Sequence, residues 1–264
     1  MTTGTGTVDI GIEQALATIT LARPSASNAL DLATKQGLLA AIRSVADDSR
    51  IRAILLTAEG KNFCVGQDLS EHVEGLRADP ATAMKTVGEH YNPTIQALHD
   101  LPVPVVVAIR GACVGAGLGI ALAGDIRVAG AGTKFGTAFT GIGLAADSGL
   151  SHALAHALGA SRAAGLMLLG DRFTAAQAYD WGLVHRVVDD DQVDTAAHEL
   201  ARTLADGPTA AYRRVKQLLR AQAPGLTEAL DAERIAQEAL GASRDHRAAV
   251  EGFLTKTRPV FEGR

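Results

Sequence analysis

PVPVVVAIRGACVGAGLGI, residues 102–120, begins as a short apolar run rich in valine and ends on glycines at 111, 115, 117 and 119. A run of this length and β-branched content reads as a buried strand, Pro102 to Ile109. The glycines follow it directly and precede the helical run Ile120 to Ala123, so they mark a strand-to-helix turn. A turn of this kind leaves backbone N–H groups unpaired at a helix start, where the helix dipole favours negative charge. Two other readings are open: a helix packed closely through its glycines, or a dinucleotide fingerprint, although the spacing is not G-x-G-x-x-G and the turn lies deep in the chain.

Working outward, Ile51 to Leu56 is a second short apolar strand, reached from 102–109 through a helical stretch carrying Met84, Val87 and Leu98. Before it, Ala15 to Leu21 alternates as a strand and ends at Arg23-Pro24. A helix then spans Leu30 to Val45, with Leu38, Leu39, Ile42 and Val45 at helical spacing. Beyond the glycines, Asp125 to Val128 and Val184 to Val188 read as strands. Between them Gly141 to Leu144 is a loop leading into a helix from Ser148 to Leu158, and Thr174 to Gln177 fits a capping box. Strands alternating with helices give an α/β body with a parallel sheet. Leu200, Leu204, Val215, Leu218, Leu219, Leu226, Leu230 and Ile235 then lie in strand-free segments separated by Gly207-Pro208 and Pro224-Gly225. The domain reading is a core over residues 1–200 and a helical C-terminal region over 201–264.

With 264 residues, 47% hydrophobic and 20% charged, the chain can bury a sizeable core. A formal charge of −4 leaves no basic surplus for a nucleic-acid backbone, so no nucleic-acid partner is expected. The basic stretch Tyr212 to Arg220 is expected to be a solvated helix face. Cys64 and Cys113 read as packing residues of a reducing compartment. The opening MTTGTGTVDIGIEQ lacks a basic and then apolar leader, and no stretch of about 18 apolar residues occurs. A cytoplasmic protein without a membrane partner is the expectation. His152 and His156 share a helix face but lack the glutamate of H-E-x-x-H and a third ligand, so no metal is expected.

A second turn, Lys61-Asn-Phe-Cys-Val-Gly-Gln-Asp-Leu69, lies just beyond the 51–56 strand. Ligands of α/β sheets bind outside the carboxyl ends of strands, and Gly66 allows a sharp turn that aims the Gln67 N–H into such a site. A plain turn with one glycine is the alternative. The chemistry-bearing side chain nearby is Asp147, in Gly-Ile-Gly-Leu-Ala-Ala-Asp-Ser-Gly, residues 141–149. Ahead of an Ala/Leu helix it fits an N-cap. Among Phe139, Ile142, Leu144 and Leu150 its carboxylate is poorly hydrated, which raises its pKa towards the range of a general base.

Arg23-Pro24 with Asn28-Ala29-Leu30, Phe63 to Leu69, Gly111 to Asp125, Phe135-Gly136 and Trp181 to Val184 together resemble, in order and over nearly the whole chain, the crotonase or enoyl-CoA hydratase/isomerase superfamily. The resemblance implies a spiral of β-β-α units and a helical region mediating homotrimers or homohexamers. It implies an acyl-CoA substrate whose thioester activates itself, without further cofactor, and an oxyanion hole made by the Gln67 and Ala116 N–H groups. Substrate or CoA contacts are implied for Arg23, Ser25, Ala26, Lys61, Gly66, Asp68, Leu69, Gly115, Phe139 and Leu144, with Phe253 and Lys256 contributed by the last helix. The two glutamates of the hydratases are replaced by Gly119 and Phe139, which puts ordinary hydration in doubt. An acid matching Asp147, the Gly66-Gln-Asp-Leu69 turn and Tyr91-Asn92-Pro93 are similar to phenylacetate-pathway isomerases acting on ring-epoxide and dehydro acyl-CoAs. Two alternatives stay open. In one, Asp147 is a nucleophile, as in dehalogenases that use a His and a Trp where Gln96 and Phe139 stand. In the other, the chain is an idle homologue using its basic helix for RNA or another partner.

Overall fold

In the computed structural model, which describes residues 2–4, 6–221 and 225–264, the strands run in chain order as β1 (Thr2–Gly4), β2 (Val8–Glu13), β3 (Leu16–Leu21), β4 (Ala53–Ala58), β5 (Val105–Ile109), β6 (Ala112–Val114), β7 (Ile126–Gly130), β8 (Lys134–Gly136), β9 (Phe173–Thr174) and β10 (Arg186–Val188). Seven of them form one sheet in the order β1-β2-β3-β4-β5-β7-β10, and β6, β8 and β9 form a small second sheet. From β3 through β10 the large sheet is parallel, with Ile54 opposite Val105 and Val106 opposite Ile126. The helices are α1 (Leu32–Ala46), α2 (Leu69–Ala78), α3 (Asn92–Asp100), α4 (Ala116–Ala123), α5 (Leu150–Leu169), α6 (Ala175–Asp180), α7 (Val193–Asp206), α8 (Thr209–Ala221), α9 (Leu226–Gly241) and α10 (Arg244–Thr255).

The central strands β4 and β5 are apolar but for Thr57 because both of their faces are covered. Ile54, Leu56, Val105, Val107 and Ile109 meet the larger core with Leu38, Ile42, Leu98, Leu118 and Leu150. Ala53, Leu55, Val106 and Ala108 point the other way, onto Val193, Ala197, Ala201 and Ala205 of α7. Those α7 residues recur every fourth position, so the helix lays a smooth stripe of small side chains against the sheet.

The α/β expectation holds, and the strand boundaries shift for local reasons. Pro102 and Pro104 cannot donate to a ladder, so β5 starts only at Val105. Asp31 accepts from the Thr34 N–H and starts α1 at Leu32 rather than Leu30. The N-terminal hairpin went unforeseen: β2 pairs antiparallel with β3, Ile10 opposite Ile19, and its half-solvated faces blur the alternation. Thr174 and Gln177 form the expected capping box. The helix expected over 148–158 begins at Leu150 and runs to Leu169, turning at Gly159 (φ 74°, ψ 163°). Gly149 holds its N-cap position, so Asp147 is not the cap. Pro224 of the expected 224–225 break lies outside the described residues.

The basic helix is not simply a solvated face, because Lys216 is buried. Its Nζ donates to the Val103 carbonyl at 2.7 Å and to Asp125 Oδ2 at 2.5 Å, and Arg220 donates to the Leu101 carbonyl at 3.2 Å. These cations fasten α8 beneath the start of β5. Among the described residues no helix is long and apolar enough to cross a membrane. His152 and His156 stack, with ring centroids 6.1 Å apart.

Candidate active site

The two turns singled out in the sequence leave the carboxyl ends of neighbouring strands, β4 and β5, and lie against each other. Phe63 N–H donates to the Arg110 carbonyl at 2.8 Å, Cys64 N–H to Ala112 at 3.2 Å, and Val114 N–H back to Cys64 at 3.1 Å. Gly66 has φ +86°, and a β-carbon there would lie 3.2 Å from the Val114 oxygen and 3.3 Å from the Ala116 nitrogen. Only glycine lets the turns close this far without strain. Leu30 bridges to Gln67 in parallel fashion, taking the Gly66 carbonyl at 2.8 Å and the Asp68 N–H at 3.2 Å. That pattern turns the N–H and carbonyl of Gln67 itself away from Leu30. Ala116 opens α4, so its N–H lies outside the helical ladder. Among the described residues neither N–H donates to a protein acceptor, and both residues line a cavity of about 490 Å³. Paired free donors beside a helix start suit an oxygen that gains negative charge.

Two carboxylates, Asp68 and Asp147, line that cavity among the described residues, and their surroundings push them in opposite directions. Asp68 accepts from Arg23 at 2.6 Å and from the Ser70 and Glu71 N–H groups at 3.0 and 3.1 Å. The Arg23 hydrogen bond holds its pKa below the usual carboxylate range, so Asp68 is an ionised helix cap. Asp147 has no such cation, and burial raises its pKa despite a 2.7 Å hydrogen bond from Ser148 Oγ. The walls around it, Met84, Phe139, Ile142 and Leu144, are apolar. This is the pattern by which one acid stays charged while another becomes a competent base.

Gly119 cannot carry a longer side chain here, because its β-carbon would fall on the carbonyl oxygen and β-carbon of Ser148. Ser148, held at φ +52° beside Asp147, occupies the space where a glutamate from α4 would have to leave the helix. The second glutamate position is filled by Phe139, which is buried in the cavity wall.

The structure therefore brings Gln67, Ala116 and Asp147 together, with Ala26, Gly66, Asp68, Leu69, Gly115, Phe139 and Leu144 around them. Arg23 does not line the cavity; it bridges Asp31 at 3.3 Å and Asp68. Ser25 and Lys61 are exposed outside it. Phe253, 84% exposed on α10, and Lys256 at the end of that helix do not line the cavity of their own chain. Gln96 is exposed and donates to Asp100, also outside the cavity. Sequence reading passed over Lys35 and gave Tyr91 no role, although both are buried beside Gln67. A signal for Lys35 existed, since it falls on the same stripe of α1 as Leu38, Ile42 and Val45, where a lysine demands a partner.

A profile described as Enoyl-CoA hydratase/isomerase matches residues 11–264. The chain is 39% identical to 1,2-epoxyphenylacetyl-CoA isomerase of Escherichia coli, over 96% of this chain and 97% of that one. It is 40% identical to a Rhodobacter capsulatus protein provisionally named enoyl-CoA hydratase, over 98% of each chain. A crystal structure from Mycobacterium abscessus, provisionally called an enoyl-CoA hydratase/isomerase, superposes with a TM-score of 0.96 at 57% identity, covering 97% of this chain and all of that one.

Proposed function

The chain belongs to the enoyl-CoA hydratase/isomerase family, and we propose that its reaction within that family is the relocation of a proton in an unsaturated or ring-epoxide acyl-CoA through a thioester enolate. The observation that carries this reading is the position of Asp147. It is a carboxylate with a raised pKa in the apolar wall of the cavity that Gln67 and Ala116 also line, while both hydratase glutamate positions lack an acid.

The thioester oxygen accepts from the Gln67 and Ala116 N–H groups. As Asp147 takes a proton from the α or γ carbon, the C–H electron pair moves into the conjugated system and the oxygen becomes an enolate. Donors fixed in a water-poor site are worth about 3 kcal/mol each to that charge. The protonated Asp147 then returns the proton to the other carbon, which restores the thioester and moves the double bond. Nothing in this cycle activates water, so hydration of a short 2-enoyl-CoA is expected to be weak.

Exchange of substrate α or γ protons with deuterated water, followed by NMR, tests the reading without knowledge of the natural acyl group. Asp147→Asn should bind acyl-CoA as before and lose exchange by a factor on the order of 10²–10⁴. The acid limb of the wild-type pH–rate profile should lie above about 4, the ordinary aspartate value, since burial raises the pKa. Undiminished exchange in Asp147→Asn would remove Asp147 as the base, and with it the preference for isomerisation.

A further inference from the structure

Gln67 does more with its side chain than a turn residue requires. Its Oε1 accepts from the Tyr91 hydroxyl and, at 3.3 Å, from Lys35 Nζ. Its Nε2 donates to Glu71 Oε1 at 3.1 Å and to the Asp68 carbonyl at 3.3 Å. Lys35, 3% exposed, also donates to Glu71 Oε1 at 2.5 Å and to Thr86 Oγ1 at 2.8 Å. Tyr91, equally buried, ends a π-helical turn over Val87–Tyr91, and burial and the nearby Asp147 charge keep its hydroxyl protonated by raising its pKa. Three side chains, Lys35 from α1, Glu71 from α2 and Tyr91 from the turn before α3, thus converge on one amide, with Thr86 behind Lys35.

An arrangement of this kind is a costly way to fill space, because removing the Lys35 ammonium from water has to be offset by its pairing with the half-buried Glu71. What it secures is the orientation of residue 67. Gln67 belongs to no helix or regular strand; the Leu30 bridge holds the Gly66 carbonyl and the Asp68 N–H in the two peptides that flank it, and its side chain supplies the remaining hold on the residue. Lys35 and Glu71 cancel in charge, so their effect on an enolate is geometric rather than a long-range field. We propose that Lys35 and Tyr91 are positioning residues that clamp the Gln67 side chain and thereby hold its main-chain N–H on the thioester oxygen. The proposal rests on the enolate reading above and adds to it the groups that make one of the two donors rigid.

Acetoacetyl-CoA is the probe, because its acidic α-proton lets the bound thioester ionise to an enolate that absorbs in the near ultraviolet. Tyr91→Phe removes one hydroxyl and keeps the ring, whereas Gln67→Met removes every side-chain hydrogen bond at similar length. In each variant the enolate fraction of bound acetoacetyl-CoA, and kcat for proton exchange, should fall on the order of tenfold while KM stays close to wild type, as for a donor loosened rather than deleted. The double variant should be no worse than Gln67→Met alone, since Tyr91 acts through Gln67. An unchanged enolate band in both single variants, or losses that multiply in the double variant, would overturn the clamp and leave the oxyanion hole standing. Absence of the band in the wild-type protein would overturn the oxyanion hole and the clamp together. Lys35→Met is the harsher probe, since it removes the bonds to Gln67, Glu71 and Thr86 together; the two milder variants decide the matter even where it does not fold.

Discussion

Ala116 is held by its own helix, whereas Gln67 is held by residues far from it in the chain. The first residue of α4 has a free N–H by virtue of helix geometry, and the turn before it is pinned by a 3.0 Å bond from Gly115 N–H to the Gly136 carbonyl. Gln67 has no helix to orient it and relies on a bridge to Leu30 and on partners from α1, α2 and the turn before α3. The two residues line the same cavity, yet the free N–H of one is a property of local secondary structure and that of the other a property of tertiary packing. Errors should therefore propagate differently: the Ala116 side breaks by changing the backbone, and the Gln67 side by changing the side chains that hold its amide.

The largest effect is expected on the Ala116 side. Ala116→Pro deletes the N–H while occupying the first helical position, where proline suits the helix itself. Loss of one such donor should lower exchange by about 10²–10³ in a protein that still folds by circular dichroism. Full activity in that variant would dissolve the comparison, since Gln67 would then be the sole donor.

Gly66→Ala acts where the two sides meet. Its positive φ and the contacts at 3.2 and 3.3 Å mean the added methyl must push the turns apart. A stability loss of about 1–3 kcal/mol is expected from denaturant titration, together with a fall in exchange of roughly tenfold as the donors separate. A stability loss with unaltered exchange would show that the distance between the turns does not matter to the chemistry.

The smallest effect concerns Asp147, the carboxylate that lines the same cavity. Burial raises the Asp147 pKa, so the folded state holds its proton more tightly than the unfolded chain does. The stability this group contributes is complete below its unfolded pKa of about 4 and is lost as pH rises through the higher folded value. Asparagine escapes that loss. Asp147→Asn should thus raise Tm at neutral pH and leave it unchanged below about pH 4. A lower Tm at neutral pH would mean that the Ser148 hydrogen bond to Asp147, rather than desolvation, dominates its energetics.

The alternation of strands and helices, the buried pair β4 and β5, and the two glycine turns were legible in the sequence because each follows from residues close together in the chain. A valine-rich run wants a sheet, and glycines at its end permit a sharp turn into a helix whatever lies elsewhere. The free N–H of Ala116 belongs to the same class, since every helix start leaves such groups. The sequence also placed Asp147 among apolar neighbours, which decided the direction of its pKa, but it equally allowed a helix cap, which only the position of Gly149 at the head of α5 excluded. Tertiary structure alone decided that Ser148 fills the space beside Gly119, that Lys216 turns inward to Asp125 across 91 positions, and that Lys35, 32 positions before Gln67, and Tyr91, 24 positions after it, meet on its amide. Such pairings depend on how separate turns and helices superpose once the sheet has formed. Hydrophobic periodicity records which face of an element is buried, but not which polar group of another element will be waiting there.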